Sequence, residues 1–275
     1  MLVRYMWPLK NKFKHMKKGI LLVAFGTSVP SAKVALENVH HEVEKAFPDI
    51  SIRWAYTSAF IRKKLKQQGK EIDSPVIALS KMADEGYTHI AVQSMHTIPG
   101  LEYDYLLQTV SGIMDIPKGP EKIEVGRPLL YDHVDIERVV DAMLIHLPQL
   151  LKNEGVVFMG HGTPHFSNVF YPALNYYFAQ KTKSVFMATV EGFPTIHDTL
   201  LKLKQNGIGK VYLIPFMSVA GGHVKNDMCG DHDESWYRLL TSAGFKVECI
   251  LKGTGEINEV VSIWVQHLRD AFNRL

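Results

Sequence analysis

GILLVAFGTS at 19–28 and GVVFMGHGT at 155–163 decide the fold. Each is a short apolar run that breaks at a glycine, Gly26 in one and Gly160 in the other. A run of that length closed by a turn signal reads as a buried strand. A second pair repeats the theme. AVQSMHTIPG (91–100) parallels LIPFMSVAGG (213–222), with Met95 opposite Met217 and Gly100 opposite Gly222. The chain is read as two copies of one unit.

Working outward, the first copy holds further strand candidates in SIRWAYT (51–57), HIAVQSM (89–95) and KIEVGRPLL (122–130). The second holds SVFMATV (184–190), KVYLIPF (210–216) and FKVECIL (245–251). Between them lie amphipathic stretches. A helix is expected to begin at Pro30 and Ser31, carry Leu36, Val39, Val43 and Phe47 on one face, and stop at Pro48. Ser74 and Pro75 form an N-cap and first-turn pair, and Gly86 closes that helix. Residues 101–114 read as helix, and a long helix is expected after the fourth strand, to about Leu151. Strands alternating with helices make parallel βαβ units. The expected fold is α/β: two similar Rossmann-like lobes, each a mostly parallel four-stranded sheet flanked by helices, with a cleft between them. The lobes are placed at 16–148 and 149–275, with a last helical stretch near 256–273 that packs back on the first lobe. In such sheets ligands bind at the carboxyl ends of the strands.

Composition bounds the rest. The 275 residues are 46% hydrophobic and 21% charged, which excludes disordered, collagen-like and disulfide-scaffold classes. No apolar stretch reaches the roughly 18 residues that span a bilayer. Net charge is +3, but Arg4, Lys10, Lys12 and Lys14 sit in a first 15 residues that contain no acid; without them 27 basic residues face 28 acidic ones. That is no nucleic-acid footprint. Residues 1–15 lack the apolar core of a signal peptide and are read as an extension outside the fold, because Met16 opens the natural-looking MKKGILLVAFGTS. Cys229 and Cys249 are too few for a disulfide framework or a four-cysteine zinc site, so a reducing, cytoplasmic setting is expected.

Position sorts the thirteen histidines. His161 follows the first strand of the second copy, Glu191 follows its second strand, and His223 follows its third. Two imidazoles and a carboxylate from successive strand ends suit a divalent first-row metal. Their spacing matches no compact zinc motif, and polar residues at strand ends are common, so coincidence is the competing reading. The glycines around both histidines allow close approach of a large flat ligand, but turn geometry explains them equally well. GTS at 26–28 and GHGT at 160–163 are neither a Walker loop nor GxGxxG, which ranks nucleotide binding low, and no GxSxG elbow occurs. His96 ends the third strand of the first copy, Arg53, Arg62, Lys63 and Lys64 lie in its second strand or the segment after it, and Phe193 and Phe216 lie near strand ends of the second copy.

With the motifs QSMHTIPGLEYD (93–104), VVFMGHGTPH (156–165), VEGFP (190–194), MSVAGGHVKNDM (217–228) and DHDESW (231–236), the chain closely resembles the class II tetrapyrrole chelatases, nearest the anaerobic sirohydrochlorin cobaltochelatases of the CbiK type. The resemblance runs from about Lys17 to the C-terminus. It implies ATP-independent insertion of Co²⁺ into a sirohydrochlorin-type tetrapyrrole, in cobalamin biosynthesis. It implies His161, Glu191 and His223 as metal ligands, His161 as proton acceptor and Glu191 as its helper. Pro164 departs from the small polar residue that relatives often carry after GHGT. The expected partner is a tetrapyrrole with several carboxylates, not nucleic acid or membrane, and a homo-oligomer is admitted. Such a ring implies carboxylate receivers among Arg53, Arg62, Lys63 and Lys64, Arg62 foremost, though a solvated helix face explains the lysines at least as well. Phe193 and Phe216 are candidates to pack on the ring or to belong to the core, and His96 to contact substrate, ligate a haem or serve a structural role. The alternatives are a chelatase for Fe²⁺ or Ni²⁺ or for a haem-like ring, a non-catalytic tetrapyrrole or metal carrier, and a two-lobed binding protein.

Overall fold

The computed structural model describes residues 16–275; the extension expected at 1–15 lies outside the described residues. Strand β1 (Lys18–Ala24) is buried almost from end to end, as a central parallel strand covered on both faces must be. After a single turn of 3₁₀ helix at Pro30–Ala32, α1 (Lys33–Ala46) buries Ala35, Leu36, Val39 and Val43. Then come β2 (Ser51–Tyr56), α2 (Ala59–Gln67), α3 (Pro75–Asp84), β3 (His89–Ser94), α4 (Leu101–Met114), β4 (Lys122–Gly126) and α5 (His133–Ile145). The second lobe runs β5 (Glu154–Gly160), α6 (Phe170–Lys181), β6 (Val185–Thr189), α7 (Ile196–Gln205), β7 (Lys210–Pro215), α8 (Trp236–Ser242) and β8 (Lys246–Cys249), and the chain closes with α9 (Asn258–Asn273).

Each lobe is one four-stranded, all-parallel sheet. The strand orders are β2-β1-β3-β4 and β6-β5-β7-β8, so the two sheets share one topology. The order reverses between β1 and β3 in one sheet and between β5 and β7 in the other, which makes each pair of strand ends a switch point where a crevice opens. Outer faces bury separate cores: Leu21, Val23 and Val92 lie with α3 and α4, and Val157, Met159 and Leu213 with α8. The inner faces do not separate. Ile20 and Leu22 of β1, Phe158 of β5, Val139 of α5 and Trp264 of α9 belong to one continuous apolar cluster, so the lobes are fused through their inner layer. Helix α9 packs on β3 and β4. There His267 meets Asp135 of α5 at 3.0 Å in a fully buried pair. No helix among the described residues is long and apolar enough to cross a membrane.

Three local expectations change. The fourth strand stops at Gly126 rather than running to Leu130, because Pro128 has no N–H for the ladder; Leu129 and Leu130 pair instead with the carbonyls of His96 and Thr97. Helix α5 stops at Ile145 rather than near Leu151, since Pro148 disfavours helical backbone just before it. The two cysteines are joined: Cys229, after the β7 loop, bonds Cys249 at the end of β8, with Cα atoms 6.4 Å apart. The low cysteine count therefore does not by itself argue for a reducing compartment. Closing a loop of 20 residues stabilises the fold by about 3 kcal/mol on the chain-entropy view.

Candidate metal and tetrapyrrole site

The strand order β6-β5-β7 puts the carboxyl ends that carry Glu191, His161 and His223 side by side. The β5–β6 ladder continues past the strands. Val190 donates its N–H to the Gly160 carbonyl and Glu191 donates to the His161 carbonyl, at 3.1 and 2.8 Å. Tyr171 of α6 packs beneath, so that a Cβ on Gly160 would overlap its ring. Burial pushes the Tyr171 phenol up to about 12, which keeps it protonated under the loop at any ordinary pH.

The imidazoles of His161 and His223 stand edge to face with centroids 4.7 Å apart. His161 Nδ1 faces its neighbour Gly162's carbonyl at 3.0 Å, so Nδ1 donates and Nε2 keeps its lone pair. His223 Nδ1 faces the carboxylate of Asp227 at 2.6 Å, with the same consequence. A carboxylate behind an imidazole fixes its tautomer and raises the basicity of the other nitrogen. Glu191 Oε2 lies 3.9 Å from His161 Nδ1. The three side chains are 42%, 57% and 42% exposed for His161, Glu191 and His223, unlike core polar residues. Among the described residues no three His, Cys, Asp or Glu side chains already converge as a metal cage. The structure brings the two imidazoles together, with the exposed Glu191 carboxylate beside the His161 ring.

Asp227 was not singled out in the sequence. Its signal was present as the i,i+4 spacing from His223, which on a helix places two side chains on one face. The local helix is in fact a π turn at Val224–Met228, a form that often marks functional sites.

The other candidates separate. Arg62, on α2, turns one guanidinium nitrogen back onto the carbonyls of Tyr56 and Thr57 at the end of β2. Arg53 is ion-paired with Glu85 at the end of α3. Phe216 is fully buried against Phe158 and is core, whereas Phe193 stays exposed. His96 Nδ1 bonds Ser94 Oγ at 2.9 Å, and its Nε2 is shielded from solvent with no partner among the described residues. Burial pushes the His96 imidazole down to about 4, so it is neutral at physiological pH. The lobes also touch at the site's edge, where His165 of the GHGTPH segment meets Asp104 of α4 at 3.3 Å.

The cobalt chelatase (CbiK) family model matches residues 18–273. A sirohydrochlorin cobaltochelatase CbiKC from Nitratidesulfovibrio vulgaris (strain Hildenborough) is 41% identical over 260 residues, covering 94% of this chain and 92% of that protein. A sirohydrochlorin cobaltochelatase from Salmonella typhimurium is 34% identical over 260 residues, covering 94% and 97%. The fold is shared with the sirohydrochlorin chelatase SirB of Bacillus subtilis subspecies spizizenii in complex with cobalt, at a TM-score of 0.60 and 14% identity, covering 94% of this chain and 97% of that one. Over nearly its whole length, therefore, the chain belongs to the CbiK cobalt chelatase family.

Proposed function

We infer that the protein is a sirohydrochlorin cobaltochelatase: it inserts Co²⁺ into sirohydrochlorin without nucleotide. The observation that carries this reading is the pair of exposed, Nε2-free imidazoles at the β5/β7 switch point, in a chain of this family.

Metallation has a fixed balance. Two N–H bonds of the free ring break, two protons leave, and Co²⁺ is bound by the ring nitrogens. The ion must be held, stripped of water and released. Two neutral imidazoles with one mobile carboxylate hold it by few protein ligands and leave positions open to the ring. His223, oriented by Asp227, acts as the firm ligand. His161 binds through Nε2 and then takes a ring proton as Co²⁺ transfers, which a neutral imidazole is suited to do near pH 7. Glu191 offsets the charge of the ion, reduces the cost of its desolvation and accepts or passes on the second proton. Arg62 is the proposed receiver of a substrate carboxylate. His96, with shielded nitrogens, is given no contact with the ring.

Mixing the protein anaerobically with sirohydrochlorin and Co²⁺, and following the visible spectrum at substoichiometric protein, tests the reading. Many turnovers per chain are expected. A spectral change that stops at one equivalent makes the protein a carrier instead. Fe²⁺ and Ni²⁺ in parallel establish the metal preference, which a His/Glu set does not fix by itself.

A further inference from the structure

The ladder that aligns the His161 and Glu191 loops ends at the Glu191 N–H. Just beyond it lie the N–H of Thr163 on one loop and the carbonyl of Phe193 on the other. A single side chain takes both. Asn168, in the 3₁₀ turn Phe166–Val169, accepts from the Thr163 N–H through Oδ1 at 3.2 Å and donates from Nδ2 to the Phe193 carbonyl at 2.7 Å. Only an amide offers an acceptor and a donor from one planar head of this size. The fit is close on every side. A Cβ on Gly192 would overlap Asn168 Oδ1, and a Cβ on Gly162, whose φ is +80°, would lie 2.7 Å from the Glu191 carbonyl carbon and oxygen. The two loops are therefore drawn together to backbone contact, and the amide ties them just beyond the last backbone bond.

We propose that Asn168 is a positioning residue for cobalt capture: its amide locks the His161 loop to the Glu191 loop, so that imidazole and carboxylate reach one ion. The proposal rests on the metal role of His161 and Glu191 given above. Asn168 does not touch the ion or the ring. It adds a side-chain tie beyond the Glu191 N–H to His161 carbonyl bond and so holds the spacing of two ligands whose own side chains are exposed.

The test titrates the intact protein with Co²⁺ alone, by calorimetry and by the visible absorption of the bound ion, and then measures turnover. Asn168→Ala is expected to weaken Co²⁺ binding about tenfold, the lower end for changes behind a metal ligand. The KM for Co²⁺ should rise in step, with little change in the KM for sirohydrochlorin. Asn168→Asp keeps the acceptor for Thr163 but sets a carboxylate against the Phe193 carbonyl, so it also weakens binding. If the alanine protein does not fold, the aspartate protein decides by the same titration. Lost thermal stability with unchanged Co²⁺ affinity in the folded variant would make Asn168 structural only and overturn the proposal. Wild-type protein that binds no Co²⁺ would instead overturn the functional reading on which the proposal rests.

Discussion

The two lobes share one strand order and differ at their strand ends. In the second lobe β5, β6 and β7 end in His161, Glu191 and His223, all open to solvent. In the first lobe β1 ends in Thr27, buried, with its hydroxyl accepting from the Val29 N–H, and β3 ends in His96 with both ring nitrogens engaged or shielded. The next segments differ as well. After β3 the chain passes from Gly100 directly into a regular helix of 14 residues. After β7, at the repeat-equivalent Gly222, it makes a π turn that brings Asp227 onto His223. Topology supplies two equivalent crevices, and side-chain identity with one irregular turn makes only the second a candidate metal site.

The comparison breaks most readily at His161. His161→Ala should lower chelation by roughly 10²–10⁴-fold, the range for a lost general base, while the folded protein keeps its stability to about 1 kcal/mol. Turnover assays with a thermal melt check both halves. Normal turnover by the folded variant would remove the asymmetry between the lobes.

His96 tests the other side. Its pKa is about 4 in the folded protein against an ordinary value near 6.5, so between these values the unfolded chain binds more protons. Folding stability is then fully present above about 6.5 and is lost as pH falls through about 4, by up to about 3 kcal/mol. Denaturant unfolding of wild type and His96→Leu across pH 4–7 should show a flatter slope in the variant, with chelation at pH 7 retained. Equal slopes would mean that the first-lobe histidine is not held neutral by burial.

Asp227 sharpens the comparison at smaller amplitude. Asp227→Ala should weaken Co²⁺ binding about tenfold without emptying the site, because His223 remains but its ring is no longer held. Calorimetric titration checks this, and an unchanged affinity would make the π turn incidental to metal capture.

Much of this was legible in the residues. The paired apolar runs before Gly26 and Gly160 gave both lobes, because buried parallel strands need unbroken apolar sequence. The strand-end positions of His161, Glu191 and His223 followed from those runs alone. What stayed hidden depends on tertiary approach. Helix α2 spans nine residues and buries only Leu65, too short an apolar face to stand out in the sequence. The Cys229–Cys249 bridge depends on β8 lying beside β7. The Asp227 contact depends on a π turn that no helical pattern announces, and Asn168 acts on backbone groups that a sequence does not display. Phe216 looked like a ring-packing residue because it ends a strand, but it is fully buried core, and the sequence pattern is silent on that.

A crystal of the protein soaked with Co²⁺ tests the central claim most directly. The account predicts one ion at the second-lobe crevice, bound by Nε2 of His161 and of His223 and by a rotated Glu191 carboxylate, at about 2.0–2.2 Å. Ordered cobalt elsewhere, with these three side chains still apart, would contradict it.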